Sequence, residues 1–262
     1  MPHILVTNDD GITAPGLLAL ALEMQNLADA QITILAPDRN WSASGHVKTL
    51  NRPLRIHPVP LPGGISAYAS DGAPSDCVAL ALLGYLETAV DLVVSGINPY
   101  ANIGHDVTYS GTVTAAMEAV IGGIPGIAIS LDSPEHISGE TDYGPAARAA
   151  RKIAARVLRD GLPKNTLLNV NIPFLPEDQI KGWQVTRQGV RLYNDRLDRR
   201  TDPRGRPYFW IGGDTPTGVP DAGTDFGALA QGYISITPLQ LDLTDYRTLA
   251  RLRSWEQAQS SK

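Results

Sequence analysis

The chain has one cysteine, Cys77, in 262 residues, so neither a disulfide within the chain nor a thiolate metal cluster is open to it. Its setting, Asp76-Cys77-Val78-Ala79-Leu80, reads as part of an apolar helix, where a thiol is buried filler rather than a nucleophile. The five histidines, His3, His46, His57, His105 and His136, show no paired spacing, and His46 and His105 read as solvated loop residues. No run approaches the ~18 apolar residues that a membrane span requires. The start, Met1-Pro2-His3-Ile4-Leu5, lacks a charged region leading into an apolar core, so a secretory signal is not expected and a cytoplasmic protein is. There is no excess of positive charge. A net charge of −5 argues against a nucleic-acid partner, whose footprint would be basic. G-x-x-x-x-G-K-S/T, G-x-G-x-x-G after the first strand and G-x-S-x-G are all missing, which removes two nucleotide cradles and the hydrolase elbow.

What is present is alternation. Ile4 to Thr7 is a short apolar run of the kind that forms a strand buried on both faces, and Pro15 to Asn26 reads as the helix after it. Strands are predicted at Ile32–Leu35, Asp91–Gly96, Gly126–Ser130 and Leu167–Ile172, and helices at Pro74–Leu86, Thr112–Ile121 and Tyr143–Arg159. This order predicts an α/β fold, a Rossmann-like doubly wound and mostly parallel sheet between helices. Residues 1–175 read as the catalytic core, and 176–262 as further strands, a projecting arm and a terminal helix that complete the same domain. The arm is placed at about 181–212, with strands at 182–187 and 208–212 around the turn Pro203-Arg204-Gly205. Within Lys181–Arg206, eight Lys or Arg stand against three Asp, a local charge of +5 that leaves −10 for the rest. A solvated arm and a subunit-exchange element both fit that stretch. The last residues, Gln259 to Lys262, are expected to fray.

Asn8-Asp9-Asp10-Gly11 follows directly on the first strand. Two adjacent carboxylates at a buried strand end repel each other and lose hydration, and a divalent cation removes both penalties. A solvated Asx turn is the plainer account of the same residues. Three other polar loops follow predicted strands: Pro37 to His46, Ser95 to Gly104, and Ser110-Gly111-Thr112 at a helix start. In a parallel sheet all four share one edge, where ligands bind. Their donors are carboxylate, amide and hydroxyl oxygens, a set that suits Mg²⁺ or Mn²⁺ rather than Zn²⁺ or copper. Ser110 is a favoured N-cap, and the exposed N–H groups behind it make either an ordinary cap or an anion site.

With those loops assembled, the sequence resembles the stationary-phase survival protein SurE family of metal-dependent 5′-nucleotidases. The matching segments are Val6 to Gly11 with Ala14-Pro15-Gly16, Ala36 to Asn40 with Ser42, Gly72 to Val78, Val94 to Asn98, and then Asn102, Gly104, Asp106 and Tyr109 to Val113. Asp202 to Gly205, Gly223 to Phe226 and Gly232 to Leu239 extend the match over nearly the whole chain. The resemblance implies that Asp9, Asp10, Ser42 and Asn98 coordinate one divalent metal ion per subunit, Mg or Mn. It implies that Asn102 and Ser110-Gly111-Thr112 hold the phosphate of a nucleoside 5′-monophosphate, with Asp9 and Asp10 catalytic. Some members accept 3′-nucleotides or short polyphosphate, and members assemble as homodimers or homotetramers, partly by exchange of the C-terminal arm. One departure stands out: Gln240 follows Thr-Pro-Leu where some members carry histidine. Two rivals remain. An aspartyl-phosphate phosphatase is disfavoured because its aspartates are typically separated by one residue, and a nucleotide- or metal-sensing module would bind without turnover.

Overall fold

In the first strand Ile4, Leu5 and Val6 are consecutive apolar residues, which suits a position buried on both faces at the centre of a sheet. His3–Thr7 (β1) occupies that position: Ile4 and Val6 face one side, Leu5 the other, and all three are fully buried. The structure is a computed structural model that describes residues 1–134 and 139–259, so His136 and residues 260–262 of the tail lie outside the described residues.

The chain continues through Pro15–Met24 (α1), Gln31–Pro37 (β2), Ile56–Pro58 (β3), Ser66–Ser70 (β4), Pro74–Leu80 (α2), Leu92–Asn98 (β5) and Gly111–Ile121 (α3). Then come Gly126–Asp132 (β6), Gly144–Asp160 (α4), Thr166–Pro173 (β7), Trp183–Val185 (β8), Arg191–Thr201 (β9) and Pro207–Gly218 (β10). Asp225–Ala230 (α5), Ile234–Gln240 (β11), Tyr246–Leu252 (α6) and Ser254–Gln259 (α7) complete the series. Nine strands form one sheet in the order β3-β4-β2-β1-β5-β6-β7-β11-β8. β4, β2, β1, β5, β6 and β7 run parallel, with β3 and β11 antiparallel to their neighbours β4 and β7.

The period-two alternation of the strands distributes the core between two helical layers. Ile4, Val6, Ile34, Val94 and Ile129 pack with Leu17 and Leu20 of α1 and Ile153 of α4. Leu5, Leu35 and Val93 meet Cys77 and Val78 of α2 and Ala115 and Ala119 of α3. Each such Leu or Ile contributes roughly 1.5–3 kcal/mol when fully buried. α4 buries a stripe of small residues, Ala146, Ala147, Ala149, Ala150 and Ala154, which lets it lie close on the sheet.

Two local expectations are corrected, and one stretch gains strands. The helix expected to reach Leu86 ends at Leu80 and passes into a π-helical turn, Ala81–Tyr85, because Gly84 takes φ +111°. β3 and β4 are short strands bounded by proline, in a stretch where the sequence predicts no element. Residues 183–185 are not the first strand of the arm: β8 pairs parallel with β11 at the sheet edge. The physical reason lies beside it, where Thr186 is buried and its hydroxyl bonds Ser235 Oγ and Thr237 Oγ1, each at 2.7 Å. The arm is instead β9 paired antiparallel with β10, a separate two-stranded sheet beginning at Arg191.

Candidate active site at the switch point of the sheet

β1 has β2 on one side and β5 on the other, so the connections diverge at this point and leave a crevice at the carboxyl ends of the strands. The loops singled out in the sequence meet there. A cleft of about 220 Å³ is lined by Asp9, Ser42, Asn98, Asn102 and Ser110, with Tyr100, Asp106 and Tyr109 at its sides. Asp10 is not among the lining residues. It is less buried than Asp9, with Asn40 Nδ2 3.5 Å from its Oδ1.

Several devices position these groups. Asn8 bonds Gly11 in both directions, its Nδ2 donating to the carbonyl at 3.0 Å and its Oδ1 accepting the N–H at 3.2 Å, which closes the turn that holds the two aspartates. The β5–β6 pairing shifts register between Ser95 and Asn98, an irregularity of the kind that re-aims a side chain. Asn98 Nδ2 donates to Tyr100 O at 2.5 Å, leaving its amide oxygen as the free acceptor. The loop carrying Ser42 is tied down by Trp41 N–H donating to Asp9 O at 2.7 Å and Gly45 N–H donating to Tyr109 O at 2.9 Å. Asn102 is nearly buried: its Nδ2 donates to Ser130 Oγ at 2.8 Å and its carbonyl accepts from Asn169 and Asn171.

Asp9 is 3% exposed. Burial pushes its carboxyl above the usual range, against the opposing pull of donors from Thr112 and Gly111. Thr112 Oγ1 donates to Asp9 Oδ1 at 2.5 Å. The start of α3 is therefore directed at Asp9 itself, and the Thr112 hydroxyl is engaged there rather than facing the cleft. Ser110 caps the same helix, accepting from Val113 N–H at 3.1 Å, which leaves its own proton to donate. Asp10 is pushed up to about 7, by burial first and then by the charge of Asp9. No Lys or Arg is among the groups acting on either carboxylate. Two neighbouring acids, both disfavoured as anions and with no cation beside them, together with the hydroxyl of Ser42 and the amide oxygen of Asn98, fit a hard divalent ion. No group of three His, Cys, Asp or Glu side chains suited to a metal occurs among the described residues, so the donor set must include such neutral oxygens.

Sequence reading missed the residues that brace the site. His46 is no free loop histidine: its Nε2 lies 2.9 Å from Glu118 Oε2, and Lys48 Nζ lies 2.8 Å from Oε1 of the same carboxylate on α3. These partners hold the Glu118 carboxyl below its usual range and pin the far end of the Ser42 loop. Asp225 is fully buried, accepting Gly104 N–H at 2.8 Å, Gly189 N–H at 2.7 Å and Phe226 N–H at 2.8 Å. It joins the loop between Asn102 and Ser110 to the root of the arm. No local pattern signals either carboxylate, because their partners lie 70 or more residues away in three of these bonds. Asp225→Ala strands two buried N–H groups, and its expected cost is about 3 kcal/mol, roughly 6–12 °C in Tm. A thermal melt within a degree of the parent protein would refute that brace. Gln240, where some SurE members carry histidine, pairs with Thr166 at the opposite end of the sheet, far from the cleft.

Comparison with known proteins gives the family. A family model described as survival protein SurE matches residues 4–195. The 5′-nucleotidase SurE of Herpetosiphon aurantiacus is 50% identical over 258 residues, covering 98% of this chain and 100% of its own. That of Chloroflexus aggregans is 48% identical over 254 residues, with 97% and 99% covered. The crystal structure of the SurE protein from Aquifex aeolicus superposes with a TM-score of 0.80 at 41% identity, covering 97% of this chain and 100% of that one. The sheet order, the crevice at its switch point and near-full-length identity to proteins built the same way place this chain in the SurE family.

Proposed function

We propose that the cleft is the site of a metal-assisted phosphomonoesterase that hydrolyses nucleoside 5′-monophosphates to nucleoside and phosphate. The observation that carries this is the buried carboxylate of Asp9, with Asp10 next to it and no cation acting on either, in one cleft with Ser42 and Asn98. The relatives named 5′-nucleotidase support the substrate class. Asp9, Asp10, Ser42 and Asn98 would hold one Mg²⁺ or Mn²⁺. When bound, the ion supplies positive charge that offsets both carboxylates and polarises a phosphoryl oxygen. The chain does the rest. Ser110 Oγ–H and the second N–H of Asn102 Nδ2 donate to the phosphate and stabilise charge building on it. Asp9 lines the cleft and has one oxygen held by Thr112, so its other oxygen takes the proton of the attacking water. Asp10 serves as ligand.

3′-Nucleotides and short polyphosphate fit the same phosphate-first recognition. Leu197, Phe209, Trp210 and Ile211 of the arm are exposed, and a projecting hairpin of this kind suits exchange between subunits in a homodimer or homotetramer. No helix among the described residues is long and apolar enough to cross a membrane, in keeping with a cytoplasmic enzyme. The test is phosphate release from AMP with Mg²⁺ or Mn²⁺, before and after chelation. The expected result is turnover that falls at least about a hundredfold with chelator and returns with metal. Saturable AMP binding without chelator-sensitive release would replace the enzyme with a sensing module, and a trapped phosphoenzyme would replace water with a carboxylate nucleophile.

A further inference from the structure

β7 carries two polar side chains where its pattern calls for apolar ones. Leu168, Val170 and Ile172 pack toward α1 and α4, and Leu167 packs toward Val113 and Ala116 of α3. By alternation, the next two residues on the α3 side are Asn169 and Asn171, and both are fully buried. An interior strand gains most from apolar side chains there, and a buried amide loses hydration that only hydrogen bonds replace. These bonds all go to one residue. Asn171 Oδ1 accepts the Asn102 backbone N–H at 2.8 Å, and its Nδ2 donates to Asn102 O at 3.1 Å. Asn169 Nδ2 donates to the same carbonyl at 2.7 Å. Asn102 makes no backbone–backbone hydrogen bond among the described residues, so the two β7 amides stand in for the ladder its loop lacks.

The partners fix which way round each amide lies. A backbone N–H faces only an acceptor and a carbonyl only a donor, so neither side chain can flip. The cost falls on Asn169 Oδ1, which is buried with no partner among the described residues. Ser130, paired with Asn171 in the β6–β7 ladder, holds the side chain of the same residue, its Oγ accepting from Asn102 Nδ2 at 2.8 Å. Held at both peptide groups and at one amide hydrogen, Asn102 presents the other hydrogen in a set direction in the cleft it lines. We propose that Asn171, assisted by Asn169, is a positioning residue of the phosphate site, acting by holding the Asn102 amide where a phosphate oxygen meets it. The proposal rests on the reading of Asn102 as a phosphate donor in the phosphomonoesterase. Asn169 and Asn171 bond none of Asp9, Asp10, Ser42 and Asn98 among the described residues, so this clamp acts on the phosphate and not on the metal ligands.

Hydrolysis of AMP, inhibition by inorganic phosphate and calorimetric Mg²⁺ binding are measured for the parent protein, Asn171→Leu, Asn102→Ala and the double variant. Asn171→Leu removes both bonds to the Asn102 peptide at nearly constant volume. KM for AMP and Ki for phosphate should rise at least about tenfold, the usual effect of losing one hydrogen bond to a charged group. Mg²⁺ affinity should stay within about twofold of the parent, as for a site that shares no partner with the clamp. Asn102→Ala should have the same effects, and the double variant should be no worse, because Asn171 acts only through that side chain. Effects that multiply in the double variant, an unchanged phosphate Ki in Asn171→Leu, or an equal loss of Mg²⁺ affinity overturns the assignment. If Asn171→Leu does not fold, Asn169→Leu tests the clamp through the carbonyl alone: a rise of about threefold in phosphate Ki supports it, and no change overturns it. If the parent protein does not hydrolyse AMP, the phosphomonoesterase reading fails separately. Calorimetry with inorganic phosphate and Mg²⁺ then decides the clamp: weaker binding to Asn171→Leu than to the parent supports it, and equal or absent binding overturns it.

Discussion

Asp9→Asn and Asp10→Asn are each expected to lose at least about a hundredfold in turnover on AMP while making the chelated protein more stable at pH 8. The two effects have one cause. In the folded chain both carboxyls titrate above their ordinary range, Asp10 at about 7, chiefly because burial penalises the anions. A raised folded pKa means that the native state holds the proton more tightly than the unfolded chain does. The stability this contributes is complete below the ordinary carboxyl pKa and is lost as pH rises through about 7. Without metal, the parent protein should therefore melt at a higher temperature at pH 5.5 than at pH 8 as far as this pair governs it. Replacing one acid by its neutral isostere should raise Tm at pH 8, by about 1 kcal/mol or roughly 2–4 °C. Mg²⁺ should raise the Tm of the parent and barely move that of either variant. Near-normal turnover in a variant at saturating Mg²⁺, or a lower Tm in both, would remove the pair from the site.

Gly111→Ala should be almost as damaging, through geometry rather than charge. Gly111 opens α3, where alanine by itself would favour the helix by about 1 kcal/mol. A Cβ there, however, would lie 2.6 Å from Asp9 Cβ and 2.9 Å from Asp9 Oδ2. The stem of Asp9 cannot swing aside without leaving its bond to Thr112, because both groups are buried. The added methyl must push the carboxylate out of the cleft or the helix away from the strand. A displacement near 1 Å costs about a hundredfold in rate for a positioned group. The measurement is kcat on AMP at saturating Mg²⁺, with a metal titration followed by calorimetry. Full kcat with unchanged metal affinity would mean that Asp9 tolerates the shift and is not the group on which the chemistry depends.

Much of the fold is legible locally. The predicted strands at Ile4–Thr7, Asp91–Gly96 and Leu167–Ile172 lie in or overlap β1, β5 and β7, and the apolar run Ile4–Val6, buried on two faces, admits few other structures. The three-residue β8 is not legible, because so short a strand has no period to read; it is held by Thr186 against Ser235 and Thr237, about fifty residues on. His46 is not legible locally either, since its partner Glu118 is 72 residues away.

The sequence by itself determined the chemistry available: hard oxygen donors, no thiolates, no paired histidines, and four polar loops at strand ends. Those are properties of residue type and of local alternation. Only the tertiary structure decided which donors face one another. In the turn that follows β1, Asp9 lines the cleft and Asp10 does not. The register shift in β5 and the Asp225 brace then set where Asn98 and the loop after Asn102 stand. Side-chain direction follows from register and from bonds to distant parts of the chain, and neither is written in the neighbouring residues.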